Sequence, residues 1–283
     1  MLKSLLLAGA ATALVAGAAA AADLPRRAEP PPVFTPVPVF TWTGFYLGTQ
    51  TGYAITDNGP IRTQGNDPFT IGNVAAGFRP ARIRAEQDGL TSLGGGIGYN
   101  YQFTPGAGFV VGFEADATWT DISKRPVYFS QRGDPAAFQQ TLDWLGTVRG
   151  RLGYAFDRVF VYGTGGFAYG NVLYRSRFFS LAAGNPLAYA GQFDGIETGF
   201  AYGGGIEYAI PTDSFLNRFN FVGSLLKADA ITLKAEYLRY DLGSRNVLVA
   251  GGLLPAAPGS YTSRFRTEGS IIRAGFNYKF SGF

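Results

Sequence analysis

The chain has 283 residues, with 24 Lys and Arg, 20 Asp and Glu, no cysteine and no histidine. Without cysteine and histidine it can form no disulfide, thiol nucleophile, Ser-His-Asp triad or His/Cys zinc site, and a net charge of only +4 does not indicate nucleic-acid binding. Charged residues make up 16%, against roughly 25% in a typical soluble domain. The mean hydropathy of +0.05 is nevertheless too low for a bundle of membrane helices. With 40 glycines and 15% aromatic residues, this composition favours β-structure with one apolar face.

The N-terminus has the pattern of an export signal. Residues 1–22 contain one early cation, Lys3, then an apolar run over 5–15 and small residues up to Ala22. This predicts a secretory signal peptide cleaved near Ala22, since the apolar run is shorter than the roughly 20 residues of a membrane anchor, which is the alternative. Residues 23–41 are rich in proline and predict an extended linker, either a flexible tail or a tether to an envelope partner.

Eight later segments alternate between apolar residues and residues that are polar or glycine, the period of a β-strand. In the third, Phe109, Val111 and Phe113 share one face, and Gly112 and Glu114 lie on the other. In the segment 159–169 the phase is ambiguous because Phe160 and Tyr162 compete with Val159 and Val161. With about 11 residues each, these segments are long enough to cross a bilayer at a tilt. They are 44–54, 89–103, 109–119, 144–156, 159–169, 197–209, 230–241 and 272–280.

The composition of the two faces favours a membrane barrel over the alternative, a soluble β-domain. The apolar face carries large rings near the strand ends, as in the two aromatic girdles of a transmembrane barrel. The other face mixes glycine with ions, which suits a narrow interior. One girdle is formed by Phe45, Tyr101, Phe103, Phe109, Tyr154, Phe156, Tyr208, Tyr278 and Phe280, and the other by Tyr53, Trp119, Trp144, Tyr169 and Tyr237. Residues 42–283 are therefore predicted to form an all-β, transmembrane, eight-stranded, antiparallel up-and-down β-barrel.

The connections alternate in length. Long ones run over 55–88, 120–140, 170–196 and 242–266, and short ones over 104–106 and 157–158, as expected for long outer loops and short periplasmic turns. The connection 210–229 breaks this pattern. Its apolar residues Phe215, Phe219, Val222 and Leu226 have helical spacing, which is compatible with a short amphipathic helix at the inner rim or with a strand extension or disordered insert.

Several segments resemble one protein family. They are ADLP at 22–25, TWTGFYLG at 41–48, GTGGFAYG at 163–170, KAEYLRYDLG at 234–243 and IRAGFNYKF at 272–280. These are similar to segments of the small outer-membrane immunogenic proteins, OmpA-like eight-stranded porin-family barrels of Gram-negative bacteria. The resemblance implies a location in the cell outer membrane, assembly by the barrel-insertion machinery and surface antigenicity. The chain departs from it at its end, where Phe283 is out of phase with Tyr278 and Phe280, and in the long connection 210–229.

Nine ionic residues lie on the predicted inward face. Unpaired buried charges are costly, so these residues are expected to form a hydrogen-bonded network. The network either closes the lumen, leaving a barrel with a structural and surface-interaction role, or lines a narrow porin-like channel for small solutes. The nine residues are Glu114, Asp116, Arg149, Arg151, Glu207, Lys234, Glu236, Arg273 and Lys279.

No catalytic site, metal site or cofactor is predicted. Glu114 and Asp116 have a spacing compatible with acid–base chemistry, but barrel enzymes that modify lipid A acyl chains and omptin-like barrel proteases rely on histidine, which this chain lacks. The glycine clusters at 94–98 and 203–205 are followed by no helical pattern, so they indicate tight strand packing rather than a nucleotide site.

Arginines in the predicted outer loops form a candidate contact with lipopolysaccharide, because the guanidinium fork matches phosphate. The alternative is ordinary solvated loop charge. The sequence identifies neither a loop partner nor an oligomeric state. The arginines are Arg79, Arg82, Arg84, Arg175, Arg177, Arg264 and Arg266.

Overall fold

The structure is a computed structural model that describes residues 39–57, 59–84, 88–180, 184–211, 228–252, 254 and 257–280. Among the residues described, no helix has the length and apolarity that a membrane span requires. The described elements are β1 (Gly44–Thr56), β2 (Ile61–Gly65), α1 (Pro68–Ala75), β3 (Arg82–Ile83), β4 (Asp88–Gln102), β5 (Ala107–Lys124), β6 (Val127–Phe129), β7 (Pro135–Phe156), β8 (Val159–Phe179), β9 (Leu187–Ala209), β10 (Ala230–Ala250) and β11 (Ser260–Phe280).

Eight of these strands close into a barrel. The hydrogen-bonded order is β1, β4, β5, β7, β8, β9, β10 and β11, and β11 pairs with β1 to complete the circle. Every neighbouring pair in this circle is antiparallel. The predicted eight-stranded antiparallel barrel is therefore confirmed. We call the end with the turns at 103–106 and 157–158 the lower end, and the opposite end the upper end.

The alternation of side chains sets which face points inward. Along β7, Thr147, Arg149 and Arg151 are buried inside the barrel, whereas Val148 and Leu152 are 50% and 61% exposed on its outside. The ambiguous phase of β8 is resolved, since Phe160 and Tyr162 point inward while Val161 is exposed. The outer surface of the lower half is thus an apolar band suited to lipid.

The predicted long loops are wrong in extent. β8 continues to Phe179 and β9 begins at Leu187, and β10 reaches Ala250 before β11 begins at Ser260. β-bulges interrupt the alternation in these strands by shifting the register, as between Leu142 and Trp144 of β7. The barrel wall therefore rises well beyond the apolar band, and β2 takes the place of β1 beside β11 near the top.

The interior of the upper half is mainly apolar, which contrasts with the charged interior of the lower half. Phe138 of β7, Tyr174 of β8 and Phe265 of β11 are all buried there, and the rings of Tyr174 and Phe265 stack with centroids 4.8 Å apart. We call this cluster of buried residues the upper core. Above the apolar band, the barrel therefore buries apolar side chains in its interior, as a soluble protein does.

The connection from β1 to β4 also has defined structure at its helix. The side chain of Asp67 caps α1 by accepting from the backbone N–H of Thr70 at 3.0 Å, and it also accepts from the N–H of Ser260 at 3.0 Å. These hydrogen bonds, first of all those from Thr70, lower the pKa of Asp67. The carboxylate therefore joins α1 to the start of β11.

Some sequence predictions fall outside the described residues. These are the signal peptide at 1–22, the linker as far as residue 38, the helical pattern between Phe215 and Leu226, and the terminal Phe283.

Candidate functional site

The barrel interior brings eight of the nine predicted ionic residues into one network in the lower half. Strand register places three pairs of opposite charge directly across from each other, namely Glu114 with Arg149, Glu207 with Lys234, and Glu236 with Arg273. Opposite charges in such positions attract one another. We call these residues the lumen network: Glu114, Asp116, Arg149, Arg151, Glu207, Lys234, Glu236 and Arg273.

Some of its ion pairs join strands that are not neighbours in the sheet. Arg273 of β11 lies 2.9 Å from Asp116 of β5, although β1 and β4 separate these strands in the barrel wall. Arg149 of β7 lies 3.2 Å from Glu236 of β10, although β8 and β9 stand between them. Both contacts therefore run across the lumen rather than along its wall.

The centre of the network is Glu114. Its carboxylate lies 2.7 Å from Arg149, 3.0 Å from Lys234, 3.5 Å from Arg151 and 3.8 Å from Arg273. The network contains four acids and four bases, so its formal charges balance. Balance matters because an unpaired charge in this interior would be costly.

Two tyrosines extend the network, and glycines paired with them on the neighbouring strands make room for their rings. The hydroxyl of Tyr46 donates to Glu114 at 2.8 Å, and that of Tyr162 donates to Glu236 at 2.9 Å. A Cβ at Gly98 would overlap the Tyr46 hydroxyl. The guanidinium of Arg151 lies 3.9 Å from the Tyr162 ring centroid and contacts Glu207. The sequence analysis predicted neither tyrosine as part of the network. Alternation could have identified both, because each lies an even number of residues from other inward-facing positions on its own strand.

Lys279, the ninth residue, lies apart from the lumen network near the lower end. It is buried, and its ammonium lies 5.7 Å from the ring centroid of Phe40. Phe40 and Trp42 belong to the segment before β1, which contacts the turns at 103–106 and 157–158 at the lower end of the barrel.

Trp42 anchors this segment. Its indole N–H donates to the carbonyl of Asp157 at 3.0 Å, and its backbone N–H donates to Oε1 of Gln102 at 2.7 Å. Its ring lies 5.3 Å from that of Phe160, and only 1% of the residue is exposed. We call this apolar group the mouth cluster: Phe40, Trp42, Val110, Ala155, Phe160, Tyr162 and Ala209. The sequence prediction missed it, because it depends on contacts 60 and 115 residues apart.

The seven arginines predicted to contact lipopolysaccharide are placed differently. Arg79 is buried, donates to the carbonyl of Phe179 at 2.8 Å and stacks on Phe178, so its prediction as a headgroup contact is wrong. Arg175, Arg177, Arg264 and Arg266 lie on β8 and β11 rather than in loops. The side chain of Arg175 is partly buried, and those of Arg82, Arg84, Arg177, Arg264 and Arg266 are exposed.

The chemistry of the interior is that of paired charges. Glu114 and Asp116, the candidate acid–base pair, each accept hydrogen bonds from arginines. The described residues contain no group of three or more acidic, histidine or cysteine side chains arranged to hold a metal ion.

Comparison with known proteins agrees with this geometry. Residues 8–280 match the family model described as "Outer membrane protein beta-barrel domain". The chain is 32% identical over 287 residues to the 31 kDa outer-membrane immunogenic protein of Brucella melitensis, covering 99% of this chain and all of the relative, and equally similar to that of Brucella suis. Among solved structures, the outer membrane protein OprG of Pseudomonas aeruginosa matches with a TM-score of 0.50 and 13% identity, over 85% of this chain and 97% of OprG. The chain therefore belongs to the outer-membrane β-barrel family and is a protein of the bacterial outer membrane.

Proposed function

We propose that this protein is a closed barrel with a structural and surface-interaction role in the cell envelope, rather than a channel or an enzyme. The observation that carries the proposal is the pair of contacts across the lumen, Arg273 to Asp116 at 2.9 Å and Arg149 to Glu236 at 3.2 Å. A solute crossing the barrel would have to separate them. Breaking a buried pair costs about 3–5 kcal/mol when one partner is removed.

Two further groups of buried side chains, one on each side of the lumen network, support a closed lumen. At the lower end, the mouth cluster packs the ring of Trp42 against side chains of β5, β7, β8 and β9. In the other half the upper core packs apolar side chains inside the barrel, and a cavity there, lined in part by Lys124, Gln140 and Tyr240, has a volume of about 10 Å³. Such a volume holds roughly one water molecule. A continuous water path would need all three layers to open.

The extended upper end supports a role at the surface. Strands of 21 to 23 residues form most of the upper wall, whereas about 9–11 residues suffice to cross the membrane. An apolar core holds the part above the membrane together, as in a soluble domain. In this proposal the surplus length presents a rigid surface outside the cell. Export by the signal at 1–22 and insertion by the barrel-insertion machinery complete the proposal.

Planar-bilayer recording tests closure against the alternative, a narrow pore for small solutes. We expect the refolded wild-type protein to give no steady discrete conductance, as does a mock preparation without protein. Steady wild-type steps that change with Arg149→Gln or Glu114→Gln would establish a conducting lumen and contradict closure. The lipid-face variant Val148→Leu serves as the matched control, since it leaves every lumen contact in place.

A further inference from the structure

Three arginines stand in register on the outer face of the upper wall. Arg264 of β11 pairs directly with Arg62 of β2, and Arg62 pairs with Arg82 of β3. All three side chains are exposed. Adjacent strands lie about 4.8 Å apart, so the row places three cations within roughly 10 Å. We call these residues the arginine row.

Without a bound partner, the arginine row lowers the stability of the fold. Like charges directly opposite one another on neighbouring strands destabilise a sheet. Arg264 donates to the hydroxyl of Ser244 at 2.8 Å, which leaves its charge uncompensated. Within the described part of the chain, neither Arg62 nor Arg82 forms an ion pair. A bound anion would relieve this repulsion.

The side chains also favour phosphate among anions. Arginine presents a planar fork that binds phosphate through two parallel hydrogen bonds, whereas lysine acts as a point charge. The described lysines Lys124, Lys234 and Lys279 are all buried, so the exposed cations of the described wall are arginines. Beside the row lies a recess of about 210 Å³ lined by Gly59, Pro60, Arg62, Arg264, Arg266 and Glu268. Arg266 is already paired with Asp241 and Glu268, so the row itself supplies the unneutralised charge.

The position of the row identifies the source of the anion. A strand rise of about 3.3 Å and a tilt of about 40° give roughly 2.5 Å of height per residue. An apolar band about 25 Å tall that begins at Phe280 then ends near Ser270. Arg264 lies roughly 15 Å higher by the same rise, and faces sideways along the membrane plane. The molecules beside the wall at that height are the glycolipids of the outer leaflet.

We propose that the arginine row is a binding site for the phosphate groups of lipopolysaccharide, centred on Arg62 and Arg264. Of the seven predicted arginines, the proposal keeps Arg82 and Arg264, and it adds Arg62. It does not depend on whether the lumen conducts.

The test is a titration of the detergent-solubilised full chain with short-core lipopolysaccharide, followed by native mass spectrometry. We expect the R62Q/R82Q/R264Q variant to bind about ten-fold more weakly than wild type, because three charge-assisted contacts are lost. The matched control R125Q/R175Q/R177Q removes the same charge from a recess on another side of the barrel, and should change binding less than three-fold, about 0.6 kcal/mol. Equal weakening by both variants, or by neither, would overturn the proposal.

Two further probes distinguish a glycolipid site from a site for any anion. Phosphatidylglycerol, with one phosphate, should bind wild type more weakly than lipopolysaccharide, and equal binding would contradict a glycolipid site. A sulfated polysaccharide that binds more tightly than lipopolysaccharide through the same three arginines would assign the row to a soluble polyanion instead.

The stability of the variant distinguishes a binding role of the row from a role in folding. Without lipopolysaccharide, the R62Q/R82Q/R264Q variant should be at least as stable to urea as wild type, because the repulsion between the three cations is gone. Lower stability would show that the arginines serve the fold, and would contradict the proposal.

Discussion

Replacing Glu114 by glutamine removes the acid at the centre of the lumen network. The side chain keeps its size, but four cations lie within 4 Å of it, at 2.7 to 3.8 Å. The variant leaves four bases against three acids in a buried space. Since an uncompensated buried charge is costly, we expect a loss of about 3–5 kcal/mol in the free energy of unfolding.

The double variant E114Q/K234M restores the balance of charge. Lys234 pairs with Glu114 at 3.0 Å, and removing both leaves three acids and three bases. The loss of stability in the double variant should therefore be smaller than the summed losses of the two single variants by about 1–3 kcal/mol. As a control, Phe200→Ala lies on the outer face, where the ring is 54% exposed, and should be additive with Glu114→Gln.

Reversible urea titration in phospholipid vesicles, followed by the gel mobility of the folded form, measures these differences. A loss below about 1 kcal/mol for Glu114→Gln, or additivity of the double variant, would refute the reasoning. Either result would mean that water screens these charges from one another, as in an open channel.

Three other changes test the remaining layers and faces. Val148→Arg places a charge on the lipid-facing side and should lower the free energy of unfolding by about 2–4 kcal/mol, whereas Val148→Leu should be nearly neutral. Equal losses for the two variants in the same titration would show that Val148 does not face lipid. Trp42→Ala removes the largest side chain of the mouth cluster and should lower the free energy of unfolding by about 3–5 kcal/mol. An unchanged urea midpoint would show that Trp42 does not stabilise the fold. Because the pKa of Asp67 is lowered from 3.8, its caps are fully present above that pH and are lost as the pH falls through the folded value. The protection of the α1 amides, expressed relative to the intrinsic exchange rate at each pH, should therefore fall on acidification in the wild type but not in Asp67→Asn, and an equal fall in both would exclude this carboxylate as the cause.

The lower half of the barrel was accessible to sequence reasoning because one rule holds along each strand. Alternation assigned Arg149 and Glu114 inward and Val148 outward, and a narrow barrel then brings inward charges together. Which charges meet across the lumen was not accessible. The contact of Arg273 with Asp116 spans 157 residues and depends on barrel closure and stagger.

The upper half escaped prediction because the polarity of the faces reverses along the same strands. Arg149 and Phe138 both point inward on β7, one in each half, and the bulge near Leu142 changes the parity between them. A prediction that requires polar residues on the inward face therefore ends the strand at the bulge and assigns the residues beyond it to a loop. Arg79 shows the same limit for single residues, since it is held by one carbonyl and one ring from β8.

The most direct test of the closed lumen uses the absence of native cysteine. A single cysteine in place of Thr164, whose hydroxyl accepts from Arg149 at 3.1 Å inside the network, can be challenged with a charged, membrane-impermeant thiol reagent from both sides of a vesicle. We expect no modification of the folded protein and full modification after unfolding in urea. Rapid modification of the folded barrel would show that water and ions reach its centre, and would contradict a closed interior.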